Sequence, residues 1–190
     1  MKEYKEYKAL LRQRLTDKRY HHTLCVADRA LELAKKYGAD PEKAYVAGLL
    51  HDICKDLPRE KMLQTLDGFG ILLSDLEKQC PKTWHAIAGE AYIRRELGIT
   101  DREILDAVRF HTTGRSNMTL LDKVLYLADF TSADRNFPGV EEIRGAVELD
   151  LEQGLLEAFV FTVEELAEEK SPIHTDTIEG YNQAAARFMR

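Results

Sequence analysis

An all-α fold is predicted by three observations: every long apolar run repeats at helical spacing, cap signals stand at the ends of those runs, and no stretch alternates apolar and polar residues as a half-buried strand would. In HTLCVADRALELAKKYG, Ala27, Ala30, Leu31 and Ala34 recur at helical intervals and Gly38 follows as a terminator, so a helix is expected from about His21 to Tyr37. Asp40 before Pro41 reads as an N-cap and first helical residue, opening EKAYVAGLLHDIC, which is expected to continue to near Lys55. Ser74 with Glu77 and Thr100 with Glu103 have capping-box spacing, and Gly98 closes WHAIAGEAYIRREL between them. LLDKVLYLADF, EEIRGAVELD, LEQGLLEAFVFTVEELAEEK and DTIEGYNQAAARFMR complete the helices read from the sequence.

The 190 residues, 44% hydrophobic and 32% charged, suffice to bury the core of one domain, and no internal repeat or linker divides them. No run approaches the length of a membrane span, and the polar start MKEYKEYKALLRQRL lacks the apolar core of a signal peptide, so no membrane association and a cytoplasmic location are expected. Cys25, Cys54 and Cys80 form no close pair and are read as buried reduced thiols. A formal net charge of −6 disfavours DNA, RNA and anionic bilayers as partners but permits a local basic pocket for a small anion. The apolar stretch LLEAFVF is core or a homodimer contact.

The chemistry lies in where the histidines fall. His22 sits near the start of one expected helix, the His51–Asp52 pair ends the next, His85 begins a third, His111 follows a fourth and Asp129 lies late in a fifth. Each helix thus offers a potential metal ligand. Neighbouring residues diverge by about 100° in mid-helix, but at a helix end both His51 and Asp52 can reach one ion. Imidazole mixed with carboxylate suits iron, manganese or zinc better than magnesium or calcium. A His-Asp dipeptide alone is a weak motif; the ordered set is what points to a site. HTTGR combines hydroxyls, a glycine and an arginine fork, which suits phosphate recognition and equally an interhelical turn. Trp84 and Phe110, beside His85 and His111, are read as core packing with base stacking as the alternative.

RYHHTLCVADRALELAKKYG, AGLLHDICKD, HAIAGEAYI, FHTTGR, LDKVLYLADF and IHTDTIEGYN resemble the HD-domain phosphohydrolases, and more closely the YqeK family of symmetrical bis(5′-nucleosyl)-tetraphosphatases. The resemblance runs from about Tyr4 to Ala185. It implies a single all-α HD domain over residues 1–190, with a metal-site core over about 18–135 and additional C-terminal helices over about 140–190. It also implies hydrolysis of a dinucleoside polyphosphate, diadenosine tetraphosphate, into two ADP. Residue by residue, His22, His51, Asp52 and Asp129 match the metal ligands, with iron as the expected ion and manganese or zinc as alternatives, while His85 and His111 could hold a second ion. Asp52, His111 and Lys55 are the candidate catalytic residues. Arg19, His22, Lys55, Asp56, His85, His111, Thr112, Thr113, Arg115, Asp129, Arg135, His174 and Asn182 are the candidate substrate contacts. The chain departs from the family pattern at FTSADR after LAD, where YIEPxR is more usual, and at Thr175 after His174, where proline is common.

The residues make physical sense of that activity. A nucleoside diphosphate leaves as a stable anion, so its departure asks for charge neutralisation more than for a strong acid, and Lys55, His111 and Arg115 are the expected cations. Two other readings compete: an HD-type hydrolase of a different nucleotide, and a nucleotide-binding helical module without turnover.

Overall fold

The computed structural model describes residues 2–189, and among them it contains eleven α-helices, one short 3-10 turn and no strand. The helices are α1 (Lys2–Arg14), α2 (Asp17–Tyr37), α3 (Pro41–Leu50), α4 (Arg59–Gly68), α5 (Asp75–Gln79), α6 (Trp84–Arg95), α7 (Arg102–Phe110), α8 (Leu120–Thr131), α9 (Val140–Leu149), α10 (Leu151–Glu168) and α11 (Thr175–Ala186). The expected all-α class holds. None of these helices is long and apolar enough to cross a membrane.

The caps largely act as read, with four corrections at the ends. Asp40 accepts from the backbone N–H groups of Glu42 and Lys43, and Ser74 and Glu77 close a full capping box on α5. Helix α2 starts before His21, because the Thr16 hydroxyl caps the N–H of Arg19. The α7 cap is Asp101, whose carboxylate accepts from Glu103 and Ile104, and not Thr100. Helix α3 stops at Leu50, short of Lys55, and HDICKD follows as tight turns closed by Ile53 N–H to Leu50 O and Lys55 N–H to Asp52 O. The last helix stops at Ala186, and Arg190 lies outside the described residues. Helices α1 and α4 were not legible. In α1 the inward residue Leu11 is fully buried while lysines and glutamates dominate the helix, and its Arg14 stacks on Tyr92 at 4.1 Å.

Helix α2 packs along both α3 and α8, and α7 packs against α3 and α8 from the other side. Val26, Ala30, Leu33, Leu49, Leu50, Val124 and Leu125 are fully buried between them. Gly48 sets the spacing of the first pair, because a Cβ there would stand 2.6 Å from the Cα of Ala27. Helix α10 joins α9 and α11 to this core through Leu155, Ala158 and Phe159, so the LLEAFVF segment is core within the chain. Phe159 fills the space that a side chain at Gly114 or Gly180 would need, which fastens the HTTGR turn to α11; Gly114 also has φ of +62°, a left-handed conformation suited to glycine. Cys54 and Cys80 are buried as expected, whereas Cys25 is half-buried.

Candidate metal centre and substrate cavity

The ends of α3 and α7 supply two histidines by the same local device. A helix leaves its last carbonyls without intrahelical partners. His51 and His111, each the residue that closes its helix, bring Nδ1 to 2.7 Å from the carbonyl three residues back, Gly48 and Val108 respectively. A carbonyl only accepts, so each Nδ1 carries the proton and each Nε2 turns its lone pair inward. Both rings are buried, 5.0 Å apart in an edge-to-face arrangement. His22 comes from α2 with its ring 5.5 Å from His51, and His85 opens α6 with its ring 5.1 Å from His111. The early stop of α3 is therefore functional geometry: it ends the helix where His51 and Asp52 can both face the cluster.

Asp52 lies at the centre, 2% exposed. Its Oδ2 faces His51 Nε2 at 3.5 Å, His22 Nε2 at 4.0 Å and an Arg19 Nη1 donor at 2.8 Å. Its Oδ1 faces His85 Nε2 at 3.1 Å and His111 Nε2 at 3.6 Å. Asp129 closes the His22 side at 3.0 Å from Nε2, and Arg135 donates to both its carboxylate and its carbonyl. Burial alone would raise both carboxyl groups. The histidines around Asp52, and Arg135 with His22 around Asp129, outweigh it and hold both well below the ordinary carboxylate range. Burial pushes His85 down to about 4 against the pull of Asp52, so it is neutral at pH 7. Burial also lowers Lys55, whose Nζ lies 3.2 Å from His85 Nε2, while Asp52 and Asp129 oppose that shift.

This donor set fits a metal. His22 Nε2, His51 Nε2 and Asp52 Oδ1 are buried polar atoms with no hydrogen-bond partner, which is costly unless something positive joins them. His22, His51 and Asp129 offer one set of ligand atoms within 4.8 Å of one another, and His51, Asp52 and His111 offer another.

The cluster opens into a cavity of about 590 Å³. Lys55, His111, Thr112, Thr113, Asp129 and Arg135 line its polar end, and His174 lines it from the start of α11. Phe130, Phe137 and Phe161 form an apolar wall that the sequence reading did not single out; the rings of Phe137 and Phe161 meet at a tilt of 41° with centroids 4.7 Å apart.

Of the expected substrate contacts, His22 and His85 belong to the histidine cluster behind the lining, Arg19 reaches that cluster through Asp52, and Arg115, Asp56 and Asn182 are brought to neither the cluster nor the lining. Arg115 turns away from HTTGR and is held by Asp122 at 2.7 Å and Asp106 at 3.2 Å, so its fork is already satisfied by carboxylates. Asp56 accepts from both the N–H and the hydroxyl of Thr16 at 2.8 Å, which ties the HDICKD turn to the start of α2. Asn182 is exposed on α11, outside the lining. Trp84 and Phe110 are not among the lining residues either: Trp84 is buried and donates to Glu77 O, and Phe110 carries the guanidinium of Arg115 at 4.5 Å. Asp134, which no sequence motif marked, approaches His22 Nδ1 at 2.8 Å.

Residues 19–134 match the model of the HD domain. The chain is 42% identical to a symmetrical bis(5′-nucleosyl)-tetraphosphatase of Bacillus subtilis, over 92% of this chain and 93% of that one. A protein of the same description from Halalkalibacterium halodurans is 41% identical over 92% of each chain. Among solved structures, the crystal structure of a predicted HD superfamily hydrolase involved in NAD metabolism from Clostridium acetobutylicum superposes with a TM-score of 0.92, at 39% identity and 97% coverage of both chains.

Proposed function

Because the chain belongs to the HD-domain family, and within it to the symmetrical bis(5′-nucleosyl)-tetraphosphatases, we propose that it hydrolyses diadenosine tetraphosphate at the central phosphoanhydride, giving two ADP. The observation that carries this reading is the buried cluster of unpartnered imidazole and carboxylate atoms opening into a cation-lined cavity of about 590 Å³. His22, His51 and Asp129, with Asp52 beside them, would hold one divalent transition metal, and the mixture of nitrogen and oxygen donors favours iron, with manganese or zinc as substitutes. The second oxygen of Asp52 is turned toward His85 and His111, and these three residues would hold a second ion if one binds. When bound, such a metal acts as a Lewis acid and acidifies water toward neutral pH.

The chain's own groups do the rest. A tetraphosphate bridge carries about four negative charges at neutral pH, more than a metal centre alone offsets. Lys55 and Arg135 supply fixed positive charge at the polar end of the cavity, and Thr112 and Thr113 line it with hydroxyls. Arg19, bonded to Asp52, orients that carboxylate from outside the cavity lining. His174 accepts the Asp176 N–H through Nδ1 and so keeps its Nε2 proton to donate to a phosphate or ribose oxygen. These groups grip one ADP half. Water adds to the terminal phosphorus of that half, the bridging oxygen leaves with the other ADP, and the departing diphosphate needs only cationic contacts.

Chromatography of the products from metal-reconstituted protein and diadenosine tetraphosphate tests this directly. ADP as the only product is expected, and ATP with AMP would place attack at an outer phosphorus and overturn the reading.

A further inference from the structure

His22 is held differently from the other inward-facing imidazoles. His51 and His111 sit at helix ends, where a free carbonyl receives Nδ1–H. His22 lies inside α2, where backbone carbonyls are already committed to the helix ladder, so its Nδ1 must find a partner elsewhere. That partner is Asp134, on the loop after α8, with Oδ2 at 2.8 Å. The other carboxylate oxygen of Asp134 accepts the Ser132 hydroxyl at 2.8 Å, so the group is fixed at both ends. The loop is fixed in turn by Arg144, which donates to the carbonyls of Thr131, Ser132 and Arg135 at 3.3, 2.7 and 2.9 Å.

We propose that Asp134 is a positioning residue for the metal centre: its carboxylate holds the proton of His22 on Nδ1, aims Nε2 at Asp129 and Asp52, and strengthens that nitrogen as a ligand. An ionised carboxylate can only accept, so the His22 tautomer follows from the pairing. The His22 side chain is 5% exposed and Asp134 21%, so the contact is shielded from competing water on the histidine side and bordered by solvent on the other. Partners of this kind typically alter metal affinity about ten- to hundred-fold. The proposal rests on the metal reading given above.

Cobalt(II) titration in competition with a chromophoric chelator, on the whole chain, separates the two. His22→Ala should lose the cobalt held with His51 and Asp129, leaving at most the weaker binding at Asp52, His85 and His111. Asp134→Ala should weaken it by about ten- to hundred-fold, and Asp134→Asn by less, because an amide oxygen still accepts from Nδ1–H. Wild-type affinity in Asp134→Ala, with affinity lost in His22→Ala, would overturn this proposal and leave the metal reading standing. Wild-type affinity in both variants would overturn both. Should Asp134→Ala fold poorly, two-bond proton–nitrogen spectra of the metal-free wild-type protein decide the matter: a proton on His22 Nδ1 is expected, whether or not Nε2 facing Asp129 also carries one, and an unprotonated Nδ1 would overturn the proposal.

Discussion

Gly48 and Ala27 touch backbone to backbone: a Cβ on Gly48 would meet the Ala27 Cα at 2.6 Å and its N at 3.1 Å. This contact sits one helical turn before His51 and a little more than one turn after His22, so it sets how far apart α3 and α2 hold their ligands. Neither backbone can yield as a flexible side chain would. Gly48→Ala should therefore cost about 1–3 kcal/mol of stability and lower metal content as well, measured by urea denaturation and by elemental analysis of the purified variant. An unaltered midpoint would show that the helices part without strain.

The metal centre makes a second prediction by subtraction. His51→Ala and Asp129→Ala should each lose bound metal and activity together, because one change removes an imidazole and the other a carboxylate from the same shell. A double His85→Ala, His111→Ala variant should retain metal at His22, His51 and Asp129 but hold less per chain than the wild type. Metal-to-protein ratios compare these outcomes directly. Full activity after exhaustive chelation would remove the basis for both.

Glu77 links local capping to the entry of α6. Its carboxylate accepts from Ser74 N–H and Arg109, and its carbonyl accepts Trp84 Nε1–H at 2.6 Å, one residue before His85. Burial opposes ionisation of Glu77, but the Ser74 bonds and the Arg109 charge prevail and lower its pKa below 4.5. A depressed carboxylate contributes stability that is present above the unfolded pKa and is lost as pH falls through the folded one. Glu77→Gln should therefore be less stable than wild type at pH 7, with the difference shrinking below about pH 4.5, as read from thermal midpoints across pH.

The contrast between legible and illegible parts follows from how local each signal is. His51 could be placed at a helix end because Asp40–Pro41 starts the helix and the apolar run stops at the His-Asp pair, all within one short segment. Which residues would serve as ligands came from the resemblance, since six candidate side chains on five helices do not by themselves say which face inward. Asp134 went unread because its partner is 112 residues away and FTSADR registered only as a departure from pattern. Arg115 shows the opposite: a local pattern that the packing engages elsewhere. Its neighbours Thr112, Thr113 and Gly114 look like a phosphate loop, but Asp122, seven residues on and buried by the start of α8, claims the guanidinium first. The aromatic wall of the cavity joins residues of α8, the following loop and α10, a proximity that only packing creates.

Arg115 and Arg135 should consequently behave as different kinds of arginine. Arg115 bonds twice to Asp122, which is 1% exposed, accepts the Thr119 N–H in the α8 capping box and has its other oxygen unpartnered. Removing the guanidinium strands a buried carboxylate, and Arg115→Ala should cost about 1.5–3 kcal/mol of stability, kept below the full cost of a broken buried pair because Arg115 is 22% exposed. Its turnover, measured at a temperature where the variant is folded, should stay near wild type. Arg135 lines the cavity and leans on Asp129, where a phosphate oxygen could compete for the same fork. Arg135→Ala should lower kcat/KM by one to two orders of magnitude, the loss of about 1.5–3 kcal/mol expected for a charge-assisted bond, and should weaken inhibition by ADP. Unfolding curves and steady-state kinetics on the two variants side by side provide the check. If Arg115→Ala lost activity at unchanged stability, Arg115 would have to swing away from Asp122 to meet the substrate, and the division of labour between the two arginines would be wrong.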